Sequence, residues 1–262
     1  MDAPAEVLAQ LIDLSRWLGA PEQDCAILGE GNASALVDEN TFLVKASGAT
    51  LGALGEGDVV TIDLRAALDA LDDPSIDDHN VGDRLADVQT AGKPLRPSVE
   101  TWLHAVCLDL EGISFVGHTH PTAINALSCT TDFEGALAGR LFPDEIVVCG
   151  AEPLLAPYVD PGIVLARVMR DEIMAFVERV GEAPKTIYLR NHGFIALGPT
   201  ASAVKQITAM AVKTARIRQG ALAAGGIHLL TPAEVDKIAK RPDEHYRQRF
   251  LARQAAAQQG GA

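Results

Sequence analysis

Near the middle of the chain, the run Phe115-Val116-Gly117-His118-Thr119-His120-Pro121 restricts what can be built around it. Phe115 and Val116 read as the end of a buried strand. Successive side chains of a strand point to opposite faces, so His118 and His120, two apart, leave the backbone on the same side. They can reach one small cation without bending the chain. Pro121 offers no N–H to a sheet ladder and suits the first turn of a helix, expected over residues 122–127. Two distant residues are suited to complete a ligand set: Glu100 upstream, and His192 in Arg190-Asn191-His192-Gly193 downstream. Three imidazoles and a carboxylate suit zinc, closed at rest or opened when substrate arrives. The competing reading is ordinary hydrogen-bonded histidines.

Composition narrows the function classes. The chain has 262 residues, 48% hydrophobic and 22% charged, enough to bury a sizeable core as one large domain or two small ones. A net charge of -13 argues against a protein that tracks a nucleic-acid backbone, which needs a basic stripe. It leaves a small anionic substrate open, because a few local donors can hold one. The four cysteines show no C-x-x-C spacing, and Cys107, Cys129 and Cys149 read as small buried thiols. With no leader pattern and no run of bilayer length, the expected location is the reducing cytoplasm, away from membranes.

Along the chain, Val7, Leu8, Leu11, Leu14, Trp17 and Leu18 share one helical face. Gly29-Glu30-Gly31-Asn32-Ala33-Ser34 leads into a hairpin, with strands on either side of Asp38-Glu39-Asn40. Lys45-Ala46-Ser47-Gly48 follows; these glycines and donors form either a concave anion nest or plain turns. Residues 59–63 read as a strand and 64–71 as a short helix, while 72–86 read as solvated surface or an insertion. A helix opens at residues 96–100, capped by Ser98, and runs to about Asp109. On it Glu100 and His104 share a face, and His104 either bonds near Glu100 or packs. Further on, the expectations are a helix over 134–141, a strand over 146–149, a loop over 154–162, a long helix over 163–179, strands on both sides of Asn191-His192-Gly193, and a helix over 201–224. The last helix starts at Thr231-Pro232 with Glu234 three after the cap; His245 and Tyr246 fall near its polar face, and the tail past Phe250 should fray.

Five blocks in order, Gly31-Asn32-Ala33-Ser34, Lys45-Ala46-Ser47-Gly48, Pro97-Ser98-Val99-Glu100, His118-Thr119-His120-Pro121 and Asn191-His192-Gly193, resemble the class II aldolase and adducin head-domain family. The resemblance spans roughly residues 5–225. It implies one α/β domain over 1–262, an α/β/α three-layer sandwich on a mainly antiparallel sheet, with a C-terminal helix and frayed tail after 228. It also implies a ring of four subunits with active sites between neighbours. His118, His120 and His192 would be the zinc ligands, with Mn2+ as another possible ion. Glu100 would touch the metal at rest and shuttle a proton. Gly31, Asn32, Ser47, Gly48 and Ser98 would line the phosphate end of the substrate, and Tyr158 would enter a neighbour's site; Lys45 and Arg96, read from their charge alone, are available to pair with an anionic substrate. The implied function is a lyase, by retro-aldol cleavage of a small hydroxy-carbonyl or sugar-phosphate compound. The alternatives are an epimerase, dehydratase or decarboxylase, or a non-catalytic adducin-like interaction module. Two departures stand out: Val99 replaces a second serine beside Ser98, and residues 65–95 are longer than compact sugar-phosphate members need.

Overall fold

The strand carrying His118, β5 (Phe115–Thr119), lies inside an eight-stranded sheet in the computed structural model, which describes residues 4–77, 79–92 and 94–241. Across the sheet the order is β4 (Gln89–Ala91), β3 (Val59–Asp63), β2 (Thr41–Lys45), β1 (Asn32–Leu36), β5, β8 (Gly193–Gly198), β7 (Thr186–Leu189) and β6 (Leu154–Ala156). All neighbours are antiparallel except β6 and β7, which are parallel. The register sets His118 opposite Asn32 on one side and Ile195 on the other.

Alternation along the strands feeds two separate cores. Val116, Ile195 and Leu197 point to a layer built from α2 (Leu64–Ala70), α3 (Val81–Val88), α4 (Thr101–Leu108) and α8 (Ile163–Val180). Phe115, Phe194 and Ala196 point the other way, toward α1 (Pro4–Leu18), α5 (Thr122–Ser128), α6 (Phe133–Leu137), α7 (Pro143–Cys149) and α9 (Ala201–Ala223). The result is the expected α/β/α sandwich on a mainly antiparallel sheet. Thr231 caps α10 (Pro232–Ala239) with a full capping box: its hydroxyl accepts from Glu234 N–H, and the Glu234 carboxylate accepts from the Thr231 backbone. His245, Tyr246 and the tail past Phe250 lie outside the described residues.

Several local expectations are corrected. Residues 146–149 are helical: Pro143 occupies the first turn, acids follow it, and Ile146 and Cys149, three apart, face the core. A four-residue apolar run does not separate strand from helix. The loop expected over 154–162 begins with edge strand β6, held by its parallel pairing to β7. The stretch read as surface at 72–86 contains the start of α3, with Val81, Leu85 and Val88 buried at helical spacing. Arg167 of α8 ties that stretch down by donating to the carbonyls of Leu71, Asp73 and Ile76. The helix expected over 134–141 is shorter, ending at Leu137. The helix placed from Ser98 starts at Thr101 with Glu100 in the cap position, and Ser98 Oγ accepts from Glu100 N–H at 3.3 Å. Cys129 is exposed, not buried.

Candidate active site

Three histidines from two places in the sheet meet. His118 is buried at the end of β5, and His120 follows just beyond it, its backbone N–H donating to Cys25 O at 2.8 Å. His192 comes from the turn between β7 and β8, where Asn191 takes the left-handed conformation at φ 53°. Asn125 Nδ2 donates to His192 O at 3.0 Å and holds that turn against α5. The three rings offer nitrogens that all lie within 4.8 Å of one another. Gly193 makes room for them: a Cβ there would sit 2.6 Å from His120 Cδ2 and 3.1 Å from His118 Cε1.

Hydrogen-bond partners select the inward nitrogens. His118 Nδ1 donates to Phe194 O at 3.1 Å, and His120 Nδ1 faces Glu30 Oε2 at 3.1 Å. That leaves both Nε2 atoms, 3.1 Å apart, facing a shared point. Glu100 Oε1 lies 3.3 Å from His118 Nε2 and 3.1 Å from His192 Nε2, yet it is buried without a well-directed hydrogen bond. Convergent imidazole lone pairs around an unsatisfied carboxylate oxygen fit a divalent cation. Burial opposes charge on Glu100, but His118 and His192 outweigh it and hold the carboxyl well below its usual range. Burial likewise opposes charge on His118, and Glu100 overcomes it and raises that ring. His120 is pulled down by burial and by His118.

A buried chain of hydrogen bonds ends on the other oxygen of Glu100. Ser34 Oγ meets His104 Nδ1 at 2.6 Å, His104 Nε2 meets Asn32 Oδ1, and Asn32 Nδ2 donates to Glu100 Oε2 at 2.7 Å. Burial pushes His104 down to about 3, so its ring is neutral; with Asn32 Oδ1 only able to accept, its proton is on Nε2. The pair expected between Glu100 and His104 is thus bridged by Asn32. Asn32 and Glu100 border a cavity of about 250 Å3 that His120 and His192 also line.

The family model of the class II aldolase and adducin N-terminal domain matches residues 9–218. The chain belongs to that family. It is 33% identical over 132 residues to the methylthioribulose-1-phosphate dehydratase of Sorangium cellulosum (strain So ce56), covering 50% of this chain and 51% of that one. It is 26% identical over 216 residues to the uncharacterized oxidoreductase YuxG of Bacillus subtilis (strain 168), covering 79% of this chain and 28% of that protein. The chain therefore spans about half or less of these relatives. An L-fuculose 1-phosphate aldolase structure superposes with a TM-score of 0.69 at 19% identity, over 91% of this chain and 96% of the other, a likeness of fold.

In this class II aldolase-family chain, Gly31, Asn32, Lys45, Ser47, Gly48 and Ser98 all line the cavity with Glu100. Gly31 adopts φ 70°, and a Cβ there would meet His118 O at 2.9 Å. Lys45 is buried, and its ammonium donates to Ala49 O at 2.7 Å, Ala46 O at 3.3 Å and Gly29 O at 3.4 Å. Burial lowers it, with Glu100 and Asp58 opposing. Val99 lines the cavity as an exposed apolar wall. Tyr158 is not brought to this cavity: its side chain is exposed and donates to Asp160 Oδ1 at 2.7 Å. Two contributors were missed, Pro161 and Glu30. An acid between two glycines was the available signal for Glu30; Pro161 had none.

Proposed function

We propose that the chain is a zinc-dependent lyase acting on a small, sugar-like hydroxy-carbonyl compound by retro-aldol cleavage, with Mn2+ as the alternative ion. The observation that carries this reading is the approach of His118, His120 and His192 to within 4.8 Å of one another beside the buried carboxylate of Glu100. Those imidazoles would hold the ion, with Glu100 added at rest. A divalent cation there supplies Lewis acidity, polarising a carbonyl and its neighbouring hydroxyl where negative charge develops. Glu100 moves the proton at Oε1, the oxygen free of hydrogen bonds, while Asn32 holds Oε2 and stops the carboxylate from rotating. Gly31, Asn32, Ser47, Gly48 and Ser98 receive the far end of the substrate. Tyr158, exposed and outside its own cavity, suits a role in a neighbouring subunit's site within a four-subunit ring. The proposal takes residues 1–262 as one domain in a reducing cytoplasm. No helix among the described residues is long and apolar enough to cross a membrane.

Likeness to a dehydratase favours a second reading, loss of water on the same ligands. Elemental analysis of protein expressed with added zinc or manganese tests the metal; folded protein that holds neither ion defeats the proposal. Product analysis then separates the reactions: two carbonyl fragments from an aldolase, loss of water or carbon dioxide from the others, and an isomer from an epimerase.

A further inference from the structure

We infer that Glu30 is a positioning residue: its carboxylate sets the ring of His120 toward the metal and makes that ring the strongest electron-pair donor of the three. This deepens the proposed function and rests on the metal named there.

The three imidazoles are supported differently at the nitrogen that points away from their shared point. His118 Nδ1 donates to a neutral carbonyl, Phe194 O, supplied by the neighbouring strand β8. His120 Nδ1 faces a carboxylate, Glu30 Oε2, at 3.1 Å. His192 Nδ1 is buried and has no hydrogen-bond partner among the described residues. An outer hydrogen bond fixes the tautomer and orientation of a ligand ring. A carboxylate acceptor also makes the inward nitrogen more basic. Of the three rings, His120 alone has that second gain.

His120 needs outside support because it lies past the last pairing of β5 with β8, Thr119 with Phe194. Residues 25–31 supply it at two points. Cys25 O accepts the His120 backbone N–H at 2.8 Å, and Glu30 takes the ring. Glu30 is itself fixed: its Oε1 accepts from Ile27 N–H at 2.8 Å, and its own N–H donates to Ile27 O at 3.2 Å. Both bonds close a turn around Leu28, which takes φ 53° and is 83% exposed. A leucine in that backbone region is strained, and so little burial does not offset the strain. Gly31 then lets the chain pass against β5, where a Cβ would meet His118 O at 2.9 Å.

The test is zinc affinity by chelator competition on the full chain, with NMR of isotope-labelled histidine in the zinc-loaded protein. Glu30→Ala should weaken zinc about 10–100-fold, the range for loss of a ligand's outer partner. Glu30→Gln keeps an acceptor without the charge, and its affinity should fall between Glu30→Ala and wild type. The His120 Nδ1 proton should resonate well downfield in the wild type, as a charge-assisted bond requires. It should move upfield in Glu30→Gln and exchange with solvent in Glu30→Ala, while the His118 ring proton stays in place. Wild-type zinc affinity in folded Glu30→Ala overturns the inference and leaves the metal chemistry standing. Equal movement of the His118 proton would mean a general loosening, and overturns it too. If Glu30→Ala does not fold, Glu30→Gln decides: wild-type affinity with an unmoved His120 proton overturns the inference. Folded wild-type protein that holds no zinc sinks the proposed function, and this inference with it.

Discussion

Asn32 donates to Glu100 across 68 residues of sequence, a 2.7 Å bond that fixes one carboxylate oxygen and leaves the other facing the imidazoles of His118 and His192. The sheet register makes it possible, since Asn32 on β1 lies opposite His118 on β5. One side chain thereby joins the carboxylate to His104 and Ser34 behind it.

Asn32→Ala should be costly for that reason. It leaves Glu100 Oε2 and His104 Nε2 buried without partners, and each unsatisfied group costs about 1–3 kcal/mol. A loss of about 2–4 kcal/mol in urea unfolding is expected. A change under about 0.5 kcal/mol would mean that other groups take over both bonds.

Gly193→Ala tests the space between the rings. The added carbon would meet His120 Cδ2 at 2.6 Å and Thr119 O at 2.7 Å, so ring or backbone must shift. Zinc affinity, measured by chelator competition, should fall about 10–100-fold, the range seen when ligand orientation is lost. Circular dichroism should remain native, because the disturbance is local. Wild-type affinity would show that the close packing does not set the ligand positions.

Glu145 lies buried between two guanidiniums, 3.2 Å from Arg140 Nη1 and 3.7 Å from Arg218 Nη2. Arg140 also donates to the carbonyls of Cys149 and Gly150 at the end of α7, and Arg218 of α9 to those of Ala136 and Gly139 around the end of α6. Glu145→Ala strands two buried cations and should cost about 3–5 kcal/mol. Asp109→Ala, which breaks an exposed pair with Arg65, should cost under about 1 kcal/mol. Equal effects in the two variants would contradict this ranking.

The thiols give a pH dependence with a definite sign. Burial pushes Cys25, Cys107 and Cys149 up to about 12 in the folded chain. An unfolded thiol ionises near 8.5, so the unfolded state gains thiolates first as pH rises. These groups therefore contribute stability fully below about pH 8.5, and it declines between there and about pH 12. At pH 8 in native buffer a thiol-specific disulfide reagent should label only exposed Cys129 quickly, and all four cysteines in denaturant. Fast labelling of more than one native thiol would refute the burial assignment.

Local chemistry made much of the site legible. The two-residue spacing of His118 and His120, the proline after them, and the Asn-His-Gly turn are patterns of neighbours, and short-range geometry suffices to read them. The Thr231 capping box was readable for the same reason. Glu30 and Pro161 were not, because their place in the cavity depends on loops packing against partners far along the chain.

Residue order alone determined which strand ends in paired imidazoles, which turn presents His192, and which acid stands at the start of α4, because each depends on alternation, proline or capping within a few positions. Only the folded sheet decided that Asn32 bridges Glu100 and His104, that Lys45 spends its protons on carbonyls, and that residues 146–149 coil instead of extend. Those outcomes depend on which distant groups share a buried space. There, an unsatisfied donor costs more than local propensity can offset.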